Sequence, residues 1–121
     1  MKKQPPENTR QHILTVSELN LLARNTLEDI FSGILIEGEI SELLQHRSGH
    51  WYFTLKDKQS QVRVAMFRGA NSRVKFAPAN GQMVLLRGQL SIYEARGSYQ
   101  FIAQSMQPAG EGKLQREYEQ L

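Results

Sequence analysis

The sequence predicts a mainly β protein, a small closed barrel of five short strands with two helices. Five segments alternate apolar and polar residues with the two-residue period of half-buried strands, and turn-forming Gly, Pro and Asn residues separate them. One capped helical pattern precedes the first strand, and a shorter one falls between the third and the fourth. This element order is typical of the OB-fold, a five-stranded Greek-key barrel.

The first helix is predicted from Thr15 to Phe31. Thr15 and Glu18 have the spacing of a capping box. Apolar residues then recur at helical spacing, and we expect them to form one buried stripe. The stripe consists of Val16, Leu19, Leu22, Ala23, Leu27 and Ile30.

The strands are predicted over residues 34–41, 51–56, 61–68, 83–93 and 99–106, with the short helix over 69–76. Gly38 inside the first strand indicates a bulge or a sharp bend. In domain terms, residues 1–14 are interpreted as a flexible tail, residues 15–110 as the first helix and the barrel, and residues 111–121 as the start of a helical connector to a region that is absent here.

Composition limits the possible functions. A chain of 121 residues is about one domain long, and the absence of cysteine excludes disulfides, thiolate zinc sites and a cysteine nucleophile. No apolar run is long enough to span a membrane, and the polar start lacks a secretory signal, so we expect a cytoplasmic protein without a membrane partner.

Positive charge is concentrated in the middle of the chain. Residues 47–96 carry nine basic and two acidic side chains, whereas residues 1–46 carry a net charge of −3 and residues 97–121 a net charge of −1. Such segregation favours a polyanionic partner. The alternative is a solvated surface that happens to be basic.

The alternation of strands two and three predicts which side chains face outward. The wholly apolar sets (Trp51, Phe53 and Leu55; Val62, Val64 and Met66) are assigned to the core. Tyr52, Thr54 and Lys56 then face outward with Arg63, Ala65 and Phe67. Rings that stack on bases, interleaved with cations that neutralise phosphates, are the combination that a single strand needs. The rival interpretation is that these rings pack against each other or beneath another domain.

The loops after strands one and four form the rim of the usual OB-fold groove. Both carry cations and stacking groups. The candidate nucleic-acid-binding residues are therefore Tyr52, Lys56, Arg63 and Phe67 on the strands and Arg47, His50, Tyr93, Arg96 and Tyr99 in or beside the loops.

Catalytic and metal-binding patterns are not recognisable in the sequence. His46 and His50 lie in a predicted loop without a nearby carboxylate cluster, and Glu37 and Glu39 are interpreted as the solvated side of a strand. We therefore expect a binding module with no metal, cofactor or catalytic residues of its own.

Several motifs resemble one family. The run GHWYFTLKD from Gly49 is similar to the N-terminal OB domain of the exodeoxyribonuclease VII large subunit. So are TVSELN from Thr15, EGEISEL from Glu37, VAMFRG from Val64, GQMVLLRGQLSIYEARGSYQ from Gly81 and PAGEGKLQ from Pro108. The resemblance covers about residues 13–121.

This resemblance implies a single-stranded DNA-binding domain of a larger enzyme. The family's enzyme degrades single-stranded DNA from both ends to oligonucleotides, needs no divalent metal, assembles with a short helical small subunit, and serves DNA repair and DNA catabolism in the cytoplasm. Two other interpretations stay open at this point. One is a protein-interaction OB module that docks another domain or subunit, and the other is an anticodon-type OB domain that binds RNA.

Overall fold

The computed structural model describes residues 13–110, which form a closed five-stranded barrel with two helices. The elements are α1 (Val16–Ile30), β1 (Ile34–Gln45), β2 (Trp51–Lys56), β3 (Gln61–Met66), α2 (Arg68–Asn71), β4 (Met83–Tyr93) and β5 (Ser98–Pro108). Strand order around the barrel is β1-β2-β3-β5-β4, where β3 and β5 pair in parallel and the other neighbours pair antiparallel. The predicted mainly β class and element order are confirmed.

The barrel interior is filled by one face of every strand. Its largest fully buried side chains include Phe53, Phe101, Ile40, Met66 and Leu86. The inward sets predicted for β2 and β3 are confirmed, although Trp51 and Val62 are only half-buried and pack against the edge of this core. Because the inward set is apolar, the pleat turns the alternate residues of β2 and β3 toward the outside.

The bulge expected at Gly38 lies further along β1. Gly38 pairs regularly with Val84, and the register against β2 shifts between Ser41 and Leu44 instead. A Cβ atom on Gly38 would lie 2.8 Å from the Leu55 side chain, so this glycine allows close approach of β2. The shift lets β1 pair with β2 as far as Gln45, four residues beyond the predicted end.

β2 and β4 have the predicted bounds, whereas β3, α2 and β5 differ from the prediction at their ends. β3 stops at Met66, two residues earlier than predicted, and α2 ends at Asn71 where a helix to Phe76 was expected. The Asn71 side chain turns inward and donates hydrogen bonds to the carbonyl oxygens of Gly49 (2.7 Å) and Met66 (3.1 Å). This polar anchor fixes the end of α2 against the loop that follows β1. β5 also extends past its predicted ends at residues 99 and 106.

The capping box of α1 is confirmed. The Thr15 hydroxyl accepts a hydrogen bond from the Glu18 backbone N–H at 3.1 Å, and the Glu18 carboxylate accepts one from the Thr15 N–H at 2.8 Å. Two N–H groups at the helix start are thereby satisfied reciprocally.

The expectation that the apolar stripe of α1 is buried is wrong. Val16 is 74% exposed and Ile30 is 65% exposed, and no residue of α1 is fully buried. The helix instead contacts β4 and the following turn through a polar row of side chains spaced four residues apart, Asn20, Arg24 and Glu28. Ala23 and Leu27 of the stripe are half-buried beside this polar row, so the helix faces the barrel with only part of its apolar stripe and leaves the rest exposed.

These contacts join α1 to the β4–β5 hairpin. Arg24 Nη1 lies 2.7 Å from Glu94 Oε2, and Asn20 Nδ2 donates to the Glu94 carbonyl oxygen at 3.0 Å. Glu28 Oε2 accepts hydrogen bonds from Arg24 Nε at 3.0 Å and from the Ser91 hydroxyl at 2.6 Å. The hairpin that carries one rim of the predicted groove is therefore held by the helix.

Glu28 makes this junction sensitive to acid. Hydrogen bonds from Ser91 and Arg24 lower the pKa of Glu28 below its ordinary value, although burial acts in the opposite direction. Because the pKa is lower in the folded protein than in the unfolded chain, the ionised carboxylate stabilises the fold above pH 4.5. That stabilisation is lost as the pH falls through the folded-state pKa.

We expect Glu28→Gln to lower the melting temperature at pH 7 by roughly 4–8 °C. This corresponds to a loss of about 1 kcal/mol in the free energy of unfolding, as expected for one hydrogen-bonded contact. At pH 3 the difference in melting temperature should be smaller, because the stabilisation by the ionised carboxylate decreases below pH 4.5. Thermal unfolding followed by circular dichroism at both pH values measures this. Asp29→Asn, on the exposed side of the same helix, is the matched control. If the variant and the unsubstituted protein differed in melting temperature by the same amount at both pH values, Glu28 would have a packing role and not an electrostatic one.

Candidate nucleic-acid interface

The outer face of β2 and β3 carries the side chains that were predicted to point away from the core. The two strands pair Tyr52 with Ala65, Thr54 with Arg63 and Lys56 with Gln61. Phe67 follows β3 directly and is exposed. We call Tyr52, Lys56, Arg63 and Phe67 the outer strip.

Arg63 is the most accessible cation in the middle of this face. Its side chain is 60% exposed, and Nη1 donates a hydrogen bond to the Thr54 hydroxyl at 2.9 Å. The expectation that Thr54 and Ala65 face solvent is wrong, since only 2% of either residue is exposed. The Thr54 hydroxyl is instead the hydrogen-bonded link between Arg63 and a carboxylate.

That carboxylate belongs to Glu42, which the sequence reasoning missed as part of the site. Glu42 Oε1 accepts from the Thr54 hydroxyl at 3.1 Å and lies 3.5 Å from Arg63 Nη1. Glu42 has a positive φ of 54° within the bulge of β1, which turns its side chain onto the face of β2 and β3. A signal for this bulge was present in the adjacent apolar pair Leu43-Leu44, which breaks the alternation of β1.

The loop between β1 and β2 is fixed to the start of α2. The His46 N–H donates to the His50 carbonyl oxygen at 2.9 Å, and the Arg68 N–H donates to His50 Nδ1 at 3.0 Å. The His50 ring contacts Phe67 edge-on, with ring centroids 5.2 Å apart. His50 therefore lies beside the outer strip as predicted, and Arg47 is exposed in the same loop.

The three residues predicted around the β4–β5 turn lie in three different places. Tyr93 lines a cleft with Phe67, beside α1. Tyr99 lines a different cleft, with Lys56 at the far end of the strands. Arg96 is exposed in the turn itself, where its N–H donates to the Tyr93 carbonyl oxygen at 3.1 Å. The hairpin thus brings only Tyr93 together with the rings of the outer strip.

Within residues 13–110, no group of three or more acidic, histidine or cysteine side chains has an arrangement that could hold a metal ion. His46 Nδ1 accepts a hydrogen bond from the Ser48 N–H at 3.0 Å, and His50 Nδ1 accepts one from the Arg68 N–H. In the same part of the chain, no helix is both long and apolar enough to cross a membrane.

Comparison with known families gives a match over most of the chain. Residues 14–107 match the family model described as "OB-fold nucleic acid binding domain". The chain belongs to this OB-fold family. The matched range begins just before α1 and ends within β5, so the OB-fold domain includes both helices and all five strands.

The OB-fold domain also has curated relatives, each named Exodeoxyribonuclease 7 large subunit. The relative from Tolumonas auensis is 58% identical over 109 residues, and the relative from Sodalis glossinidius is 59% identical over 109 residues. Each alignment covers 90% of this chain but only 24% of the relative. The chain therefore spans about a quarter of the length of these relatives.

Among solved structures, the OB-fold domain is similar to a chain of a Replication Protein A heterotrimer bound to ssDNA. The TM-score is 0.52 at 14% identity, with 64% of this chain and 57% of the other chain covered. At this identity the similarity shows a shared fold.

Proposed function

We propose that this domain binds single-stranded DNA as the non-catalytic OB-fold domain of an exodeoxyribonuclease VII large subunit. The observation that carries the proposal is the outer strip, in which two exposed or half-exposed rings alternate with two cations beside both rim loops. Flat rings stack on bases, and the cations neutralise the phosphates between them. The domain holds the strand, and catalysis belongs to the part of the relatives that lies outside this chain.

The parent enzyme in this proposal degrades single-stranded DNA from both ends to oligonucleotides. It acts in the cytoplasm in DNA catabolism and DNA repair, together with an exodeoxyribonuclease VII small subunit. The domain itself needs no metal or cofactor, because stacking and phosphate neutralisation are both performed by side chains. Support for this parent comes from the names of the relatives that align with 90% of the chain.

Arg63→Ala tests the role assigned to the outer strip. Labelled oligo-dT is titrated into the protein at several salt concentrations, and log Kd is plotted against log salt concentration. Loss of one phosphate contact on a single strand reduces the slope by about 0.7. We expect this reduction together with weaker binding at low salt.

Arg73→Ala is the matched control, because Arg73 is also exposed in the basic segment but lines a cleft with Phe76 and Met106 away from the outer strip. Equal effects of the two substitutions would contradict the assigned role of Arg63. If oligo-dT does not bind at low salt, the protein-docking interpretation replaces this proposal. Tighter binding of oligo-U RNA would instead favour the anticodon-type interpretation.

Glu42→Gln is expected to have the opposite effect on affinity. In the free protein the Glu42 carboxylate forms an ion pair with Arg63, so an incoming phosphate must displace this carboxylate. Exposed ion pairs contribute up to about 1 kcal/mol, so removing the competing charge should tighten oligo-dT binding by up to about fivefold. The gain should be smaller in an Arg63→Ala background. An equal gain in both backgrounds would assign Glu42 a general repulsion of phosphate in place of competition for Arg63.

A further inference from the structure

We infer that the cleft between Phe67 and α1 binds a single nucleobase and confers base preference on the domain. We call it the α1 cleft. It has a volume of about 540 Å³ and lies on the outer faces of β4 and β5, with Phe67 and Tyr93 among its lining residues. This inference rests on the proposed binding of single-stranded DNA.

The α1 cleft continues the outer strip across the barrel. Strand pairing places Tyr52 beside Ala65, Ala65 beside Ile102, and Ile102 beside Gln89. These four residues therefore form one row that crosses β2, β3, β5 and β4. Ile102 and Gln89 line the α1 cleft. A DNA strand that lies on Tyr52 can therefore place one of its bases in the α1 cleft.

Two amide side chains in the α1 cleft are available to a ligand. Gln89 and Gln100 are half-buried, and neither amide has a hydrogen-bond partner within residues 13–110. A half-buried amide without a partner needs water or a ligand to satisfy it. Each amide offers two donors and an acceptor, which match the edge of a base, and the apolar side chain of Ile102 also lines the cleft.

The charges of the α1 cleft favour a neutral base over a phosphate. Among the cleft's lining residues in the described part of the chain, Arg24 is the only cation, and it is bound to the carboxylates of both Glu28 and Glu94. Two carboxylates against one guanidinium leave no excess positive charge for a phosphate group. The phosphate-binding cations lie on the outer strip instead, so backbone binding and base recognition are separated between the two surfaces.

Base preference is the measurable consequence. Stacking tolerates any base, whereas hydrogen bonds to base edges discriminate between bases. The domain should therefore bind oligo-dT, oligo-dC and oligo-dA of equal length with different affinities. We expect the tightest and weakest of the three to differ by about threefold to tenfold, as one hydrogen bond would produce.

The test is the double variant Gln89→Leu with Gln100→Leu, titrated with the same three oligonucleotides. Its affinities should converge to within about twofold, while the salt slope stays unchanged because no phosphate contact is removed. Gln104→Leu is the matched control, since Gln104 is exposed on β5 and does not line the α1 cleft. It should keep the base preference of the unsubstituted protein. Thermal unfolding verifies that both variants are folded.

A second measurement locates the base directly. A 5-iodouracil placed in the oligonucleotide should photocrosslink to Tyr93 or Phe67, and the crosslinked peptide is identified by mass spectrometry. Equal affinity of the unsubstituted protein for all three oligonucleotides, or a preference that survives in the double variant, would overturn this inference alone. Failure to bind any of the oligonucleotides at low salt would instead overturn the proposed function.

Discussion

Gly88→Ala should be strongly destabilising, by about 3 kcal/mol or more, because it inserts a methyl group into a closed part of the barrel. A Cβ atom at Gly88 would collide with the backbone oxygen of Ile102 and lie 2.9 Å from the Phe101 ring and 3.0 Å from Ala103 Cα. Backbone atoms cannot move aside as the end of a flexible side chain can. The register between β4 and β5 also shifts between Arg87 and Gly88, directly before this glycine.

Urea unfolding at 25 °C measures the change in the free energy of unfolding. Gly69→Ala is the matched control, since Gly69 lies in α2 and an added Cβ atom would have no neighbour within 4 Å. That substitution should be neutral or stabilise the protein by up to about 1 kcal/mol. Equal stabilities of the two variants would show that the contact between β4 and β5 is looser than these distances indicate.

Removing both rings of the outer strip should have the largest effect on binding. Each base stacked on an aromatic side chain contributes roughly 1–3 kcal/mol, so Tyr52→Ala combined with Phe67→Ala should weaken oligo-dT binding by about 30-fold or more. The salt slope should stay unchanged because no cation is removed. Fluorescence anisotropy of labelled oligo-dT at three or more salt concentrations measures both quantities.

Two controls separate stacking from other effects of these substitutions. Tyr52→Phe keeps the ring and should retain binding within about twofold, since stacking does not need the hydroxyl. Phe31→Ala removes a ring of nearly the same exposure as Phe67, but at the end of α1. It should leave oligo-dT binding unchanged. If Tyr52→Phe weakened oligo-dT binding as much as Tyr52→Ala, Tyr52 would act through a hydrogen bond of its hydroxyl and not through stacking.

Strand periodicity was sufficient to predict most of the barrel and part of the candidate site. Alternation in β2 and β3 identifies the inward residues, because a strand with one apolar face can bury only that face. The same alternation brings Tyr52 and Arg63 to the outside, as the structure confirms. Local chemistry also predicted the capping box at Thr15, since both of its partners lie within one helical turn.

Periodicity could not predict what each face contacts. An apolar stripe on a helix predicts burial, yet α1 packs through Asn20, Arg24 and Glu28, because their partners on β4 and in the following turn lie more than 60 residues away in sequence. The partner chosen by a helix depends on the surface that the barrel presents to it. That surface exists only after the strands have paired.

The same reason explains the two site features that the sequence did not reveal. Glu42 reaches Arg63 because a bulge in β1 gives it a positive φ, and Gln89 and Gln100 share a cleft because β4 and β5 pair beside α1. The sequence alone determined the fold class, the inward residues and the outward rings and cations, all of which follow from local periodicity. Only the tertiary structure decided which charges are paired and which amides are open to a ligand, because these depend on distances between residues remote in the chain.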